Sequence, residues 1–238
     1  MTSSDSFSKH HSHTNFVGRV TLRHTGACDG FTPMNRTAIA ATLVAICLVM
    51  ATAGWRERSR LELWLAMQEA GSNPERPLIA MLGDSLVDSV NWRLLLHCDG
   101  IGNYGVRGDT TAQMLARLPR ILELKPKLLM LMGGTNDALL EIAPQETIAN
   151  LKAIEAEATR NGAAYISFSP PPLPVGADVL APVRAAASIA IPFDEGDLAK
   201  DRIHLKASGY AKWRDAALQT VPKYCAVSET LTPAKPGR

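Results

Sequence analysis

Short apolar runs recur through the chain from residue 77 onward, and each closes on glycine or small polar residues. They are PLIAMLGDSL (Pro77–Leu86), IGNYGV (Ile101–Val106), KLLMLM (Lys127–Met132) and AAYISF (Ala163–Phe168). Runs of this length, bounded by turn residues, are buried strands rather than helices. Amphipathic stretches separate them. Val87–His97 is expected to be helical. So is Thr111 to about Leu124, with Met114, Leu118 and Ile121 on one face, and Pro144–Asn161, with Ile148, Leu151, Ile154 and Ala158 on one face and proline near its start. Beyond them the pattern predicts a helix over Ala177–Ala190, a last short strand at Ile191–Phe193 and a closing helix over Lys206–Val221. Alternating strands and helices predict an α/β fold, a mostly parallel sheet covered by helices on both faces.

The chain has 238 residues, which is one domain with room for an extension. Met1–Pro33 is polar, rich in Ser, Thr and His, and lacks apolar periodicity, so 1–33 is expected to be disordered. His10, His11 and His13 have no carboxylate or cysteine to complete a metal site, and no metal is expected. Segment 34–54 is apolar. Within it Thr37–Gly54 carries no charge and as a helix would be about 27 Å long, near the minimum for crossing a bilayer. It is either a membrane anchor or, if Met34 is the true start, a signal peptide ending at Ala51-Thr52-Ala53. The expected localisation is therefore membrane-anchored or exported to the cell envelope, with the side of the membrane open. Residues 55–75 form a helical connector, with Arg56–Gly71 helical and Asn73-Pro74 ending it. The catalytic candidates lie in 76–225, and 226–238 is a flexible tail. A net charge of +2 gives no reason to expect a nucleic-acid partner. Four cysteines without a CxxC allow one disulfide but not a disulfide scaffold.

If the strands are parallel, the loops after the first three project from one sheet edge, where open α/β sheets bind ligands. The first holds Gly83-Asp84-Ser85, the second Asn103 to Thr110, and the third Gly133 to Asp137. On its own stretch Asp84 or Ser85 would simply cap a helix. A serine hydroxyl is a poor nucleophile at neutral pH and needs a base. Outside the N-terminal segment only His97 and His204 exist. His97 ends the apolar run Leu94-Leu95-Leu96 and reads as structural. His204 stands three residues after Asp201, a spacing that lets the carboxylate hold one ring nitrogen while the other faces outward. Asp194, Glu195 and Asp197 lack that offset. Gly100–Gly105 matches G-x-G-x-x-G, but it overlaps a strand-like segment and the helix starts later, so no dinucleotide is expected.

GDSL at 83–86, NYGVRGDTT at 103–111, GGTND at 133–137 and DRIH at 201–204 resemble, in order and spacing, the four sequence blocks of the SGNH (GDSL) hydrolases. The GDTT with Leu115-Ala116-Arg117-Leu118 is also similar to the branch of platelet-activating-factor acetylhydrolase-type esterases. The resemblance implies a three-layer α/β/α sandwich with a flavodoxin-like sheet. It implies Ser85 as nucleophile, Asp201 and His204 completing a triad, and Ser85, Gly108 and Asn136 forming an oxyanion hole. It also implies a serine esterase that hydrolyses small-molecule, lipid or glycan esters through an acyl-enzyme, with no cofactor. An acyltransferase using the same triad and an inactive membrane-tethered binding module are the alternatives. Two departures stand out. Arg202 occupies a position that is often glycine in the family, which bears on substrate access. Gly176–Ala190 is short and Ala-rich, which predicts a small pocket wall and an open site.

Overall fold

The computed structural model describes residues 36–68, 72–174 and 176–225. The expected disordered segment 1–33, with its histidines, and the tail 226–238 lie outside the described residues; the apolar segment 34–54 does so in part. The chain divides into two units, Met1–Leu48 and Val49–Arg238. Of the first, only the opening of a helix is described. Among the described residues no helix is long and apolar enough to cross a membrane.

The chain order is α1 (Arg36–Gln68), β1 (Ile79–Gly83), α2 (Ser85–Asp88), α3 (Trp92–Leu95), β2 (Ile101–Gly105), α4 (Thr111–Leu122), β3 (Leu128–Met132), α5 (Thr135–Leu139), α6 (Pro144–Arg160), β4 (Ala164–Ser167), α7 (Ala177–Ala186) and α8 (Ala207–Ala217). The four strands form one all-parallel sheet in the order β2-β1-β3-β4. β1 and β3 are buried along their whole length, as expected of central strands covered on both faces. Their side chains alternate between two cores. Ile79, Met81, Leu128, Met130 and Met132 join one with Leu63, Leu86, Trp92 and Trp213. Ala80, Leu82, Leu129 and Leu131 join the other with Met114, Leu118 and Ile154. Helices therefore cover both faces, and the expected three-layer α/β/α sandwich is the observed architecture.

The first core contains an aromatic cluster that links the beginning of the domain to its end. Trp92 meets Trp213 edge-on at 4.5 Å between ring centroids, and Tyr210 stacks on Trp213 at 6.3 Å. The Tyr210 hydroxyl donates to the Leu86 carbonyl at 2.9 Å. α8 is thereby fixed to α2, so the chain just before α8 and the start of α2 have a defined separation. A disulfide joins Cys98 to Cys225, with Cα atoms 5.9 Å apart.

Five local expectations are corrected. The helix expected over Val87–His97 is two short helices. Asn91 breaks it: its side chain accepts from Arg93 and Leu94 N–H and caps α3, while its own N–H bonds to Ala66 of α1. The expected helix over Arg56–Gly71 is the second half of α1, which runs unbroken from Arg36, through Gly54. The helix expected to reach Ala190 stops at Ala186, because Ala187 turns to extended backbone. Ile191–Phe193 is not a strand. A single parallel bridge joins Phe168 to Ile189 instead, and Pro192 has no N–H to extend it. The closing helix stops at Ala217, and Val221–Lys223 is a separate 3-10 turn.

Candidate active site

Gly83 ends β1, pairing with Gly105 of β2 on one side and Met132 of β3 on the other. The three following loops therefore leave the same sheet edge. Gly83 cannot carry a side chain, since a Cβ there would lie 2.3 Å from Val87 Cγ2 and 2.5 Å from the Met132 carbonyl. The chain turns directly into α2, whose first residue is Ser85. Asp84 caps that helix by accepting the Leu86 N–H at 2.9 Å. The capping expected from sequence is thus real, and it aims Ser85 rather than excluding it from chemistry.

Ser85 Oγ lies 3.0 Å from His204 Nε2, and His204 Nδ1 lies 2.7 Å from Asp201 Oδ2. An ionised carboxylate only accepts, so Nδ1 carries the proton and Nε2 is left to accept from the serine hydroxyl. Asp201 Oδ1 takes the backbone N–H groups of Ile203 and His204, each at 3.0 Å. The His204 hydrogen bond and then these amides hold the Asp201 carboxyl down at about 2. Ile203 packs on a satellite cluster of Ala138, Leu173 and Leu180, which fixes the loop from the α5 and α7 side. The rival acids are occupied: Asp194 and Asp197 both bind Lys212. His97 faces Glu62 at 3.8 Å, in contact with none of these groups.

Gly108 and Asn136 meet at one junction. Asn136 Nδ2 donates to the carbonyl of Asp109, the residue after Gly108, at 2.9 Å. One N–H of that amide remains. Gly108 has φ +83°, and a Cβ there would touch nothing within 4 Å. The glycine is required by backbone conformation, not by a close approach. Among the described residues, the backbone N–H groups of Ser85 and Gly108 make no hydrogen bond.

The supports of this arrangement were not evident from sequence. Arg117 of α4 donates from Nε to Asp109 Oδ2 at 2.6 Å and from Nη2 to the Gly83 carbonyl at 3.0 Å, clamping the first loop to the second. Buried Asp137 accepts the Thr111 N–H at 2.9 Å, together with the Thr111 and Thr147 hydroxyls, and so ties α5 to α4 and α6. Asn103 donates to the Val87 and Val90 carbonyls at 3.0 Å each and accepts the Gly105 N–H. Its signal was compositional, since asparagine is depleted in strands. The third segment, read as a loop, turns at Gly134, φ +100°, into α5.

Two further features bear on the chemistry. Asp84 is fully buried, its Oδ2 has no partner among the described residues, and burial raises its carboxyl to about 6. Beside His204 lies an open depression of about 450 Å³, lined among others by Met67, Asp88, Val90, Arg107 and Leu205. Arg202 does not line it. Its backbone is left-handed at φ +58°, and its head group approaches Glu195 at 3.5 Å.

The model of the GDSL-like Lipase/Acylhydrolase family matches residues 52–191. The chain belongs to the GDSL-like lipase/acylhydrolase family. As a member it is a carboxylic ester hydrolase. The match includes Ser85, Gly108 and Asn136 and ends before Asp201 and His204, which are tied to Ser85 by the hydrogen bonds above. Among solved structures, TesA is 25% identical, with a TM-score of 0.51 over 61% of this chain and 98% of its own. A GDSL-like lipase from Bacteroides thetaiotaomicron is 19% identical, with a TM-score of 0.52 over 70% of this chain and 97% of its own. The second likeness supports the α/β fold alone. No curated protein matches the chain.

Proposed function

We propose that this GDSL hydrolase is a serine esterase working through an acyl-enzyme, with Ser85 as nucleophile, His204 as base and Asp201 as the carboxylate that orients it. The observation that carries this reading is the continuous chain Ser85 Oγ–His204 Nε2–His204 Nδ1–Asp201 Oδ2, at 3.0 and 2.7 Å. His204 takes the serine proton as Oγ attacks the ester carbon, then returns it to the leaving alcohol oxygen. A water activated by the same imidazole hydrolyses the acyl-serine. The developing oxyanion is held by the backbone N–H groups of Ser85 and Gly108 and by the remaining N–H of Asn136. Preorganised donors of this kind are worth roughly 2.7–4 kcal/mol each. None of these steps requires a cofactor. The substrate class is an acyl or acetyl ester of a small molecule, lipid or glycan.

The disulfide supports an oxidising compartment, since such bonds rarely persist in a reducing cytosol. With the uncharged stretch 37–54, it favours a domain anchored at or exported into the cell envelope. N-terminal sequencing of the mature protein from each cell fraction tests this. Recovery of an uncleaved, reduced protein from the soluble cytosol would contradict it.

The activity is tested with p-nitrophenyl acetate. Ser85→Ala is expected to lower turnover roughly 10⁴–10⁶-fold, and a fluorophosphonate should label wild type but not the variant. Near-wild-type turnover by folded Ser85→Ala would overturn the assignment.

A further inference from the structure

We propose that Arg107 is a specificity-determining residue that selects esters whose alcohol portion carries an anionic oxygen group, a carboxylate or a phosphate. The proposal rests on the serine-esterase reading above and adds the substrate class.

The leaving alcohol oxygen takes its proton from His204 Nε2, so the alcohol portion departs on the His204 side. The depression of about 450 Å³ beside His204 is open to solvent and large enough for a small alcohol portion. Its walls are partly apolar, with Met67, Val90 and Leu205. Among the described residues lining it, Arg107 is the one Lys or Arg side chain. It also immediately precedes Gly108, so its backbone lies next to a proposed oxyanion donor.

The state of the guanidinium points to a ligand. Its two hydrogen bonds both come from Nη1, to Asp88 Oδ2 at 3.3 Å and to Ser89 Oγ at 3.4 Å, and both are long. Among the described residues, Nε and Nη2 donate to nothing. The Nε–Nη2 edge is the planar fork that matches two oxygens of a carboxylate or phosphate. The Arg107 side chain is 63% exposed and that of Asp88 41%, so their mutual attraction is weak and easily exchanged. Asp88 holds the guanidinium at the rim by one end and leaves the fork free. A neutral alcohol portion would leave that fork to water. An anionic one would fill it while the ester carbon stays at Ser85.

Matched acetyl esters test this: 4-acetoxybenzoate, its neutral methyl ester, and 4-acetoxyphenyl phosphate. The measured quantity is kcat/KM for each anionic ester divided by that for the neutral one. Arg107→Gln is expected to lower this ratio about 5–10-fold, and Arg107→Lys, which keeps the charge but not the fork, to lower it less. Asp88→Asn, which removes the competing carboxylate, is expected to raise it 2–5-fold. The anionic ester whose ratio falls further identifies the preferred group. An unchanged ratio in Arg107→Gln, including a parallel loss on all three esters, overturns the proposal and assigns Arg107 a role in loop structure. Loss of hydrolysis of all three esters in Ser85→Ala, alongside an unchanged ratio in Arg107→Gln, would refute the specificity while leaving the esterase reading intact. If wild type hydrolyses none of them, the esterase reading itself fails and this proposal with it.

Discussion

Replacing Asp201 by asparagine tests the proposed mechanism at its most exposed member. The carboxylate has two jobs. Oδ1 accepts the Ile203 and His204 N–H groups, each at 3.0 Å, and Oδ2 accepts the Nδ1 proton at 2.7 Å. An asparagine has one acceptor oxygen. If it keeps the two backbone amides, its NH₂ points at Nδ1, which must then accept. The proton moves to Nε2, and His204 can no longer take one from Ser85. The charge is lost as well. Opposite charges about 4 Å apart near a protein surface interact by about 4 kcal/mol. With side chains 48% and 33% exposed, solvent screening reduces that to about 2–3 kcal/mol. The electrostatic loss and the wrong tautomer together predict a fall in kcat of roughly 10³–10⁴-fold. Asp201→Ala loses the same charge without enforcing the wrong tautomer, so it should be no slower than Asp201→Asn. The assay is steady-state hydrolysis of p-nitrophenyl acetate by both variants, with circular dichroism to confirm the fold. Asp201→Asn within tenfold of wild type, or clearly faster than Asp201→Ala, would refute the tautomer argument.

Three other outcomes follow from the same geometry. In the proposed mechanism Asn136→Ala removes a donor to the developing oxyanion, so kcat should fall roughly 10²–10³-fold with KM little changed; a loss confined to KM would place Asn136 in ground-state binding. Asp84 is fully buried, and its carboxyl is raised from 3.8 to about 6, so its stabilising contribution is full below pH 3.8 and is lost as pH rises through 6. Two units correspond to about 3 kcal/mol. The resolved shifts of Asp194, Asp197 and Asp201 are downward and act below pH 4. Urea denaturation of wild type from pH 4 to 7 should therefore show a decline that Asp84→Asn lacks, and a pH-independent difference between the two would contradict it. Finally, the Cys98–Cys225 bond closes a loop of 127 residues, worth about 2–5 kcal/mol by chain entropy. Reduction should lower Tm by roughly 10 °C, and an unchanged Tm would show that the bond adds nothing to stability.

The central strands β1 and β3 were legible because they are buried on both faces and therefore read as continuous apolar runs. The two amphipathic helices on one face, α4 and α6, were legible for the complementary reason, a clear stripe. The chain between Ser85 and Leu96 was harder. Its apolar content suggested one helix, while Asn91 offers a side-chain acceptor that competes with the helical ladder, and a sequence does not show which prevails. The end of α7 and the lost strand at Ile191–Phe193 failed for a similar reason: one backbone turn at Ala187 and one missing proline N–H outweigh local propensity. In the site, His204 and Asp201 could be paired because the three-residue offset carries its own geometry, and Ser85 joined them through the resemblance of the four sequence blocks to the SGNH hydrolases. The clamp from Arg117 to Asp109 and Gly83, and from Asn136 to Asp109, joins residues from separate loops. Such pairing depends on the order of strands in the sheet, which local pattern does not encode.

The hydroxyl bond from Tyr210 to Leu86 and the packing of Trp213 on Trp92 also have a temporal meaning. Ser85 and His204 are 119 residues apart, and the aromatic groups that set their separation enter late in synthesis. A growing chain that has already assembled β1 to β4 holds a serine with no base beside it. It also leaves Trp92 and Leu86 without their covering layer until α8 arrives. Hydrolytic competence and closure of the core thus appear in the same step. Ester turnover is therefore a direct readout of whether the last helix has docked, and fragments ending before it should be both silent and sticky.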